Sequence, residues 1–567
     1  MAKKITIDPV TRIEGHLRID CEVENGKVTN AWSSGQMWRG IEIILRGRDP
    51  RDAWAYTQRI CGVCTTVHAV ASVRAVEDAL QMEIPLNAQY IRNLIIAAHN
   101  IFDHMAHFYQ LSALDWVDIV SATTADARAA AALGQKLSDW RGNSPQELQA
   151  VQDRLKKFIA SGQLGIFASG YWGHPAMKLT PEVNLLAATH YLQALEYERK
   201  INQVVAILGS KTPHIQNLVV GGVSNAIDPN SPANLTVEKL FHIKTLIDEV
   251  GEFINQAMLT DVAAIGAAYA DWTTYGAGVM DYLCVPELPM DTKGTQYELS
   301  GGYLPAGEPD GKPTAIGSQK EKLLTENIKE SIKHSWYQGD WDRSPYEGET
   351  VPNYTGFSYE DRYSWIKSPT FMGKPAQVGP LAHILTLYLA GHEPTKRYVD
   401  NTLQTISTLA GTTVGIEALH STIGRIAARV IRAALLHDTM DKQWQALMDN
   451  IGKGDYDTFN SPVFPTGELR GVGFHEASRG ALSHWVIIDN GKIKNYQCVV
   501  PSTWNAAPRD SNDALGPYEA SLVGNPVADE ELPLEVLRTV HSFDPCIACA
   551  IHLVDGKKTP LSKVKVL

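Results

Sequence analysis

The sequence is poor in cysteine, lacks any long apolar run and shows no excess of positive charge. Seven cysteines among 567 residues are too few for a disulfide-stabilised scaffold. No run of about eighteen uncharged apolar residues occurs, so we expect no membrane-spanning helix. The opening residues, MAKKITIDPVTRIEGH, carry two lysines but no apolar segment behind them, so we expect no secretory signal in this chain. With 51 basic and 63 acidic side chains, the net charge of −12 argues against a nucleic-acid partner.

The few cysteines are concentrated, because four of the seven form two CxxC pairs near opposite ends of the chain. RICGVC spans 59–64, DPCIACAIH spans 544–552, and a histidine follows each pair, at His68 and His552. A CxxC turn brings two sulfur atoms within reach of one ion, and two pairs complete a soft donor set for zinc, nickel or iron. The other three cysteines stand singly in apolar or strand-like surroundings and are expected to be buried small hydrophobes: Cys21, Cys284 and Cys498.

Two other uses of paired cysteines stay open on the pattern alone. A structural zinc site usually draws its two pairs from within roughly tens of residues, because the metal folds a unit that lacks a core. Here most of the chain separates the pairs, and a chain this long has core enough of its own. A dithiol oxidoreductase requires an exposed CxxC in a thioredoxin-like βαβ unit, and neither pair has that setting. The spacing therefore favours a metal centre with its own chemistry.

Hydrophobic periodicity predicts an α+β fold that is predominantly α, with a central bundle of long antiparallel helices and small β-hairpin sheets near both termini. Residues alternate in strand fashion in HLRIDCEVENGKVTNAWSS, and Asn25-Gly26 supplies a hairpin turn. The stretch SHWVIIDNGKIKNYQCVVPSTW shows the same strand-turn-strand pattern, with its turn at Asp489-Asn490-Gly491. Apolar residues at steps of three and four predict long helices at 88–120, 184–209, 237–259 and 415–452.

These patterns divide the chain into six segments. Residues 285–378 are rich in Gly, Pro, Tyr and Trp, and we interpret them as an ordered excursion over the bundle rather than a disordered linker. The segments are an N-terminal β-hairpin region with the first CxxC (1–86), bundle helices (87–284), the aromatic excursion (285–378), further bundle helices (379–460), a C-terminal β region with the second CxxC (461–552) and a C-terminal extension (553–567).

Six short motifs together resemble one enzyme family. RIEGH, RICGVC with its following histidine, DPCIACAIH, EASRG, VVPSTW and HSFDP are similar to signatures of the large, catalytic subunit of the nickel-iron hydrogenases, over essentially the full length. The resemblance is greatest to the membrane-associated respiratory uptake group, of the enterobacterial hydrogenase-2 type. It implies an oxidoreductase that cleaves H₂ heterolytically and reversibly into protons and electrons.

The resemblance also implies a nickel-iron centre on the four paired cysteines. Cys61 and Cys546 would be terminal nickel ligands, while Cys64 and Cys549 would bridge nickel to an iron that carries carbon monoxide and two cyanides. Soft thiolates suit both metals, so the implied centre agrees with the chemistry of the donor set.

Three residues are implied to take part in the cleavage of H₂. The Cys546 thiolate would take the proton and pass it to Glu14 of RIEGH, and Arg479 of EASRG would polarise bound H₂ or act as an alternative base. Without the resemblance, Glu14 is interpreted more simply as a surface acid paired with Arg12 or Arg18. Ser478 stands where a proline commonly precedes this arginine, which leaves the stiffness of that loop in question.

A second group of residues is implied to surround the metals. His68 would donate a hydrogen bond to a bridging thiolate, Asp103 and Asp544 would hold Arg479, and Pro501 with Ser502 would bind a cyanide. From its position in IFDHMAHF alone, Asp103 is more simply a helix-surface acid.

A magnesium site and a processing site are implied as well. Glu42, the backbone carbonyl of Cys498 and His552 would bind Mg²⁺ together with waters, since hard oxygen ligands and retained waters suit that ion. Cleavage directly after His552 by a maturation endopeptidase would remove residues 553–567.

Electrons need an exit, and the sequence holds no further cysteine set for an iron-sulfur cluster. The resemblance implies an obligate small subunit that carries such clusters, a dimer of heterodimers, and membrane electron-acceptor subunits that feed a quinone chain in anaerobic respiration. Export with the small subunit would place the protein at the periplasmic face of the cytoplasmic membrane, with the cytoplasm as the alternative. The related quinone-reducing subunit of respiratory complex I lacks the four cysteines, and a zinc-stabilised interaction protein is the rival from another class.

Overall fold

The structure, a computed structural model, describes residues 3–162, 167, 171–228, 231, 234–308 and 311–550. The predicted fold class is confirmed: long helices form the centre, and small antiparallel sheets lie near both ends of the chain. His552 and the extension 553–567 lie outside the described residues. The helices are α1 (Ile41–Ile44), α2 (Ala53–Thr57), α3 (Thr65–Ala79), α4 (Leu86–Ala106), α5 (Ile119–Ala122), α6 (Ala127–Leu137), α7 (Pro145–Ala160), α8 (Pro181–Gly209), α9 (Val237–Phe253), α10 (Leu259–Ala268), α11 (Lys322–Asn327), α12 (Pro380–Leu389), α13 (Glu393–Ala410), α14 (Thr422–Gly452), α15 (Pro501–Asn505), α16 (Pro517–Leu522), α17 (Leu534–Ser542) and α18 (Ile547–Ala550).

The strands form small sheets of two or three members. Two of the three-stranded sheets, β1-β2-β3 and β14-β15-β16, are the predicted terminal sheets. The strands are β1 (Lys3–Ile7), β2 (Leu17–Glu24), β3 (Lys27–Gly35), β4 (Leu218–Val219), β5 (Gly222–Val223), β6 (Tyr282–Cys284), β7 (Glu287–Pro289), β8 (Tyr297–Leu299), β9 (Gly301–Leu304), β10 (Thr314–Ile316), β11 (Ile328–Ser331), β12 (Asp342–Arg343), β13 (Ser368–Phe371), β14 (Glu468–Ala477), β15 (Gly480–Asp489) and β16 (Lys492–Val499).

Both predicted hairpin turns are present. Asn25 and Gly26 have φ of 53° and 71°, and Asn490 and Gly491 have φ of 48° and 75°. Positive φ at both central residues gives a turn whose twist matches that of the flanking strands. The alternating side chains of β2 lie on one buried face, as predicted: Leu17, Ile19, Cys21 and Val23.

The central helices begin at sequence-encoded caps and pack against one another. Thr180 accepts a hydrogen bond from the third residue of α8, and Ser421 does the same for α14. Helix α4 packs on α8 and α14, and α9 packs on α8. The N-terminal sheet packs in a separate core together with the segment of the second CxxC pair, through residues such as Leu17, Phe543 and Ile547.

Two predicted helices differ from the observed ones in a similar way. The expected helix 88–120 is α-helical only to Ala106 and continues as a π-helical segment, His107–Ser112. The expected helix 237–259 contains a second π-helical segment, Ile254–Met258, between α9 and α10. A π-helical turn contains one residue more than an α-helical turn. The spacing of apolar residues does not distinguish the two, because tertiary packing decides where the extra residue is accommodated.

The described residues of the aromatic segment 285–378 do not lie over the bundle alone. Tyr303 and Phe371 share a core with Trp485 of the C-terminal sheet, and Tyr337 and Trp365 pack on Trp38 near the N-terminal sheet. The segment therefore ties the two terminal sheets together.

Helix α3 lies directly against the C-terminal sheet because that sheet carries glycine at the contact. A Cβ built on Gly473 would lie 2.1 Å from the carbonyl oxygen of Ala71, and one on Gly471 would lie 2.2 Å from that of Ala75. The backbones of α3 and β14 are therefore in direct contact. This contact holds Cys64, which directly precedes α3, close to the turn between β14 and β15. None of the described helices is both long and apolar enough to cross a membrane.

We predict that Gly473→Ala lowers the free energy of unfolding by about 2 kcal/mol or more, because the new methyl group has no space against α3. Chemical denaturation of the purified protein measures the change. Gly452→Ala at the end of α14 is the matched control, since no heavy atom lies within 4 Å of its Cβ. Equal stability of the two variants would contradict the proposed close contact.

Candidate metal centre

The four paired cysteines meet in the interior. Their sulfur atoms are 3.3 Å apart for Cys61 and Cys546, 3.0 Å for Cys64 and Cys549, and 2.9 Å for Cys546 and Cys549. All four lie within 4.8 Å of one another, and none is more than 2% exposed. Within the described ranges, no other group of cysteine, histidine and acidic side chains has metal-ligand spacing.

Backbone contacts with the N-terminal RIEGH motif hold the second pair in place. The N–H of Ile547 donates to the carbonyl of Glu14 at 2.7 Å, and the N–H of Glu14 donates to the carbonyl of Pro545 at 3.3 Å. Gly15 follows with φ of 85°, and a Cβ there would lie 2.5 Å from the backbone nitrogen of Ala548. Only glycine fits this approach, which explains the motif's glycine in physical terms.

The four sulfur atoms are soft donors, but the protein alone does not stabilise all four of them as thiolates. Burial opposes ionisation of Cys61, but hydrogen bonds from the other three thiols lower its pKa well below the usual value. The N–H groups of Val63 and Cys64 also donate to its sulfur, at 3.2 and 3.0 Å. Burial raises the pKa of Cys64 to about 11, and the pKa values of Cys546 and Cys549 are raised well above the usual value. A bound cation is what would make all four thiolates stable together, so the residues fit soft metal ions.

Glu14 is the carboxyl group in contact with this cluster. The Cys546 thiol donates to Glu14 Oε2 at 3.5 Å, and the N–H of Ala548 donates to the same oxygen at 3.1 Å. Burial and the negative charge on Cys61 raise the pKa of Glu14. A carboxyl with a raised pKa next to a thiol is suited to exchange a proton with it.

The alternative interpretation of Glu14 as a surface acid is wrong. Its expected partners are engaged elsewhere: Arg12 binds Asp115, and Arg18 binds both oxygens of Asp20. Glu14 instead points into the molecule, toward the sulfur atoms.

Arg479 lies at the turn between β14 and β15 and is held by two buried acids. Its Nη2 donates to Asp544 Oδ1 at 2.9 Å, its Nε to the Asp544 carbonyl at 2.9 Å, and its Nη1 to Asp103 Oδ2 at 3.3 Å. Burial opposes its charge, but Asp544, Cys546 and Asp103 hold the pKa of Arg479 well above the usual value. Asp103 is only 1% exposed, so its alternative interpretation as a helix-surface acid is wrong.

Ser478 anchors the loop in which a proline was expected. Its hydroxyl donates to Asp103 Oδ2 at 2.6 Å, and its carbonyl accepts from Arg429 Nη1 at 3.0 Å. Two hydrogen bonds thus restrain the backbone before Arg479, which a proline ring would restrain covalently.

A chain of buried side chains continues outward from Cys549. His68 Nε2 lies 3.3 Å from the Cys549 sulfur, and His68 Nδ1 lies 3.0 Å from His484 Nε2. His484 Nδ1 lies 2.7 Å from the Tyr496 hydroxyl, which donates to Ser72 at 2.9 Å. The chain fixes the orientation of the His68 ring. Sequence reasoning missed His484 and Tyr496, although they lie diagonally on one face of β15 and β16.

A small cavity lies between the thiols and the start of α15. The Ser502 oxygen accepts a hydrogen bond from the N–H of Cys546 at 3.0 Å, which ties α15 to the second pair. The lining residues combine the sulfurs with the predicted surrounding groups: Cys64, Val67, His68, Ala477, Ser478, Arg479, Val500, Pro501, Ser502, Cys546 and Cys549.

Comparison with known proteins agrees with this arrangement. The family model described as nickel-dependent hydrogenase matches residues 39–552, and one described as HoxL-like matches 4–33. The hydrogenase-2 large chain of Escherichia coli K12 is 55% identical over 100% of both chains. The chain belongs to the nickel-dependent hydrogenase family. The uptake hydrogenase large subunit of Bradyrhizobium diazoefficiens is 44% identical over 100% of this chain and 97% of that one.

The fold of this hydrogenase is also that of solved family members. The reduced Ni-Fe-Se hydrogenase of D. vulgaris Hildenborough is 32% identical with a TM-score of 0.77, covering 97% of this chain and 100% of that one. The [NiFeSe]-hydrogenase of Dm. baculatum is 31% identical with a TM-score of 0.76 over the same shares. The four cysteines are therefore the metal-binding cluster of a hydrogenase large subunit.

The hydrogenase has a second buried acidic site around Glu42. Glu42 Oε1 accepts from the N–H of Cys498 at 2.9 Å and lies 3.7 Å from Lys367 Nζ, which also binds Glu330 at 2.5 Å. Two buried carboxylates thus share one ammonium group, and Glu330 Oε1 has no hydrogen-bond partner among the described residues. These residues fit a hydrated divalent cation, and sequence reasoning missed Glu330 and Lys367. His552, the third expected ligand, lies outside the described residues.

Three arginines on α14 were also missed. Arg425, Arg429 and Arg432 are spaced by four and three residues, so they share one helix face, and all are buried. Arg429 Nη1 lies 3.3 Å from Asp544 Oδ2, and Arg432 Nη2 lies 2.8 Å from Glu287 Oε2. Their spacing within the otherwise apolar stretch GRIAARVIRAALL indicates a helix that carries positive charge on one buried face.

We predict that Cys64→Ser lowers the nickel content of the purified hydrogenase at least about tenfold, because the substitution removes a soft ligand from the closed cluster. Elemental analysis measures nickel per chain. The control is Cys21→Ser, whose sulfur lies in the N-terminal sheet core, and it should keep its nickel. Full nickel in the Cys64 variant would remove this residue from the ligand set.

Proposed function

We propose that this hydrogenase subunit cleaves H₂ heterolytically and reversibly at a nickel-iron centre held by Cys61, Cys64, Cys546 and Cys549. The observation that carries the proposal is the meeting of four thiols from both chain ends with one carboxyl group, Glu14, beside one of them. Such a centre would act as a soft Lewis acid that accepts the electron pair of H₂.

The ligand roles are those that the family resemblance implies. Cys64 and Cys549, which lie 3.0 Å apart and border the cavity beside Ser502, would be shared by nickel and iron. Cys61 and Cys546 would complete the nickel ligands. The cavity lined by Pro501 and Ser502 would hold the iron with its carbon monoxide and two cyanides, and the Ser502 hydroxyl would donate to one cyanide.

In this proposal Cys546 and Glu14 remove the proton. The Cys546 sulfur takes a proton from H₂ and passes it to Glu14 Oε2, with which it is already in contact at 3.5 Å. The N–H of Ala548 donates to the same oxygen and fixes the carboxyl group for this transfer. Glu14 then releases the proton away from the sulfurs, which restores the thiolate.

Arg479 serves as a fixed positive donor rather than as a base. Asp103 and Asp544 both bind its guanidinium, and the two carboxylates favour the charged form. The ion pairs also orient the group over the cavity that it lines with the sulfurs. Deprotonation would leave two buried carboxylates without their partner, which is costly.

Electrons must leave through another protein. Outside the thiol cluster, the sequence supplies only three single cysteines, so the chain has no ligand set for an iron-sulfur cluster. The names of relatives, a large chain and an uptake large subunit, support a small subunit as the partner. In this proposal the small subunit is obligate, carries the iron-sulfur clusters and forms a dimer of heterodimers with this chain. Membrane subunits would receive the electrons for a quinone chain, at the periplasmic face of the membrane, and the cytoplasm is the alternative location.

The acidic site would hold magnesium as a structural ion. Glu42, the Cys498 carbonyl and His552 would bind Mg²⁺ with waters, and Glu330 would accept hydrogen bonds from those waters. Binding through His552 would fix the end of the processed chain after a maturation endopeptidase removes 553–567.

Metal analysis with infrared spectroscopy tests the centre itself. We predict one nickel per purified heterodimer and more iron than nickel, because the iron of the small subunit's clusters adds to that of the centre. Absorption from metal-bound carbon monoxide and cyanide should appear where proteins do not absorb. H₂-dependent dye reduction should accompany these bands. Zinc in place of both metals, without the bands, would instead support the zinc-stabilised interaction protein.

We predict that Glu14→Gln lowers H₂ oxidation by at least about a hundredfold, because the amide cannot relay a proton. Metal content and the infrared bands should not change, since glutamine keeps the contact with Ala548 possible. The matched control is Glu24→Gln, an exposed glutamate at the end of β2. Wild-type turnover in the Glu14 variant would assign the proton to another group.

A further inference from the structure

The loop between β1 and β2 carries Glu14 to the thiol cluster, and the end of α17 holds this loop in place. The two ends of the loop are joined, because the N–H of Val10 donates to the carbonyl of Leu17 at 2.9 Å. Its tip contacts the second CxxC segment through the backbone of Glu14. Between these points the Thr11 carbonyl accepts a hydrogen bond from His541 Nε2 at 2.8 Å. His541 is the next-to-last residue of α17 and is buried.

The surroundings of the His541 ring determine its protonation. A carbonyl oxygen only accepts hydrogen bonds, so the bond to Thr11 requires a proton on Nε2. Nδ1 lies 2.7 Å from Asp115 Oδ2. Burial opposes ionisation of Asp115, but Arg12 first and His541 second lower its pKa to about 2, so this oxygen is also an acceptor. Both ring nitrogens therefore donate, and His541 is an imidazolium with a separate partner on each side.

The same carboxylate holds the side chain of Arg12, the first residue of RIEGH. Arg12 Nη2 donates to Asp115 Oδ1, and Arg12 Nη1 donates to the Leu111 carbonyl at 2.5 Å. Leu111 lies in the π-helical segment His107–Ser112, and Asp115 ends the 3₁₀ turn that follows it. The end of this segment therefore presents a main-chain carbonyl and a carboxylate to one guanidinium group.

Arg12 needs these contacts because its backbone is strained. Its φ is 54°, in the left-handed region that a residue with a β-carbon rarely enters. Such a conformation persists only where the surroundings hold it. His541 holds the residue before Arg12, and Asp115 holds the Arg12 side chain. The strained turn between these contacts sets the direction in which the chain continues to Glu14.

We propose that His541 is a positioning residue that aligns Glu14 with the Cys546 sulfur, by fixing the main chain of Thr11 ahead of the strained turn. This inference rests on the proton transfer proposed above. Both ring nitrogens are used by Thr11 and Asp115, so His541 acts on Glu14 through the backbone. Without the bond to Thr11 the turn relaxes, and the Glu14 carboxyl group loses its alignment with Cys546.

Two substitutions at His541 separate its two hydrogen bonds. Glutamine places an amide nitrogen near the position of Nε2, so His541→Gln keeps a donor for Thr11. Asparagine places its amide nitrogen near Nδ1, so His541→Asn keeps a donor for Asp115 and loses the one for Thr11. We expect His541→Asn to lower H₂ oxidation at least about tenfold and His541→Gln to keep it within about threefold of wild type. Equal losses in the two variants would contradict the role assigned to the Thr11 bond.

Nickel content and the infrared bands of each purified heterodimer show whether the centre is intact. Both should match the wild type, because Ser502 also holds Cys546. Loss of the bands in His541→Asn would instead assign His541 to assembly of the centre and overturn the proposal. The matched control is His190→Asn, at another buried histidine that pairs with an aspartate, Asp261, at 2.8 Å. It should keep full turnover, and an equal loss there would reduce the effect at His541 to a general one.

A double-mutant cycle with Glu14→Gln separates this inference from the proposed function. If His541 acts through Glu14, adding His541→Asn to Glu14→Gln lowers turnover no further, because the relay is already lost. Effects that multiply in the double variant would overturn the positioning role and leave the relay intact. Wild-type turnover in Glu14→Gln alone would remove the relay, and with it the reason for positioning Glu14.

Discussion

The active centre depends on the pairing of two short backbone segments from opposite ends of the chain. Cys61 and Cys546 are 485 residues apart in sequence, and the hydrogen bonds between Glu14 and the segment 545–547 bring the second CxxC beside the first. Closing so long a loop costs conformational entropy, although this cost grows only slowly with loop length. Burial of apolar surface in the helical bundle offsets it. The same contact sets the Glu14 carboxyl beside the Cys546 sulfur. One piece of backbone geometry thus organises both the metal-binding cluster and the contact proposed for proton transfer.

Around this centre the structure buries many charges and pairs them. Arg479 and Arg429 face Asp544, Arg479 also faces Asp103, and Arg432 faces Glu287. Removing one member of a buried pair costs several kcal/mol, so the pairs hold one another in fixed positions. These fixed charges produce a constant electrostatic field at the buried sulfur atoms. Helix α14 contributes two of these arginines, Arg429 and Arg432, from one face.

Much of the fold was readable from the sequence, because local patterns encode it. The turns at Asn25-Gly26 and Asn490-Gly491, the buried face of β2 and the long helices all follow from short-range rules. The meeting of the four cysteines came from the family resemblance, since CxxC spacing does not show which pairs converge. The π-helical segments, the His484 and Tyr496 contacts and the role of Ser478 depend on tertiary packing, so no local pattern indicates them. The placement of 285–378 against both terminal sheets has the same origin.

The glycine contact between α3 and β14 has a mechanical consequence. Cys64 directly precedes α3, and Arg479 sits in the loop that connects β14 to β15. Because helix and sheet meet at main-chain distance, with no side chains between them to change rotamer, they move as a single rigid block. We therefore expect thermal fluctuations of the surrounding bundle to displace the Cys64 sulfur and the Arg479 guanidinium together. Their separation across the cavity would then be insulated from motion elsewhere in the molecule.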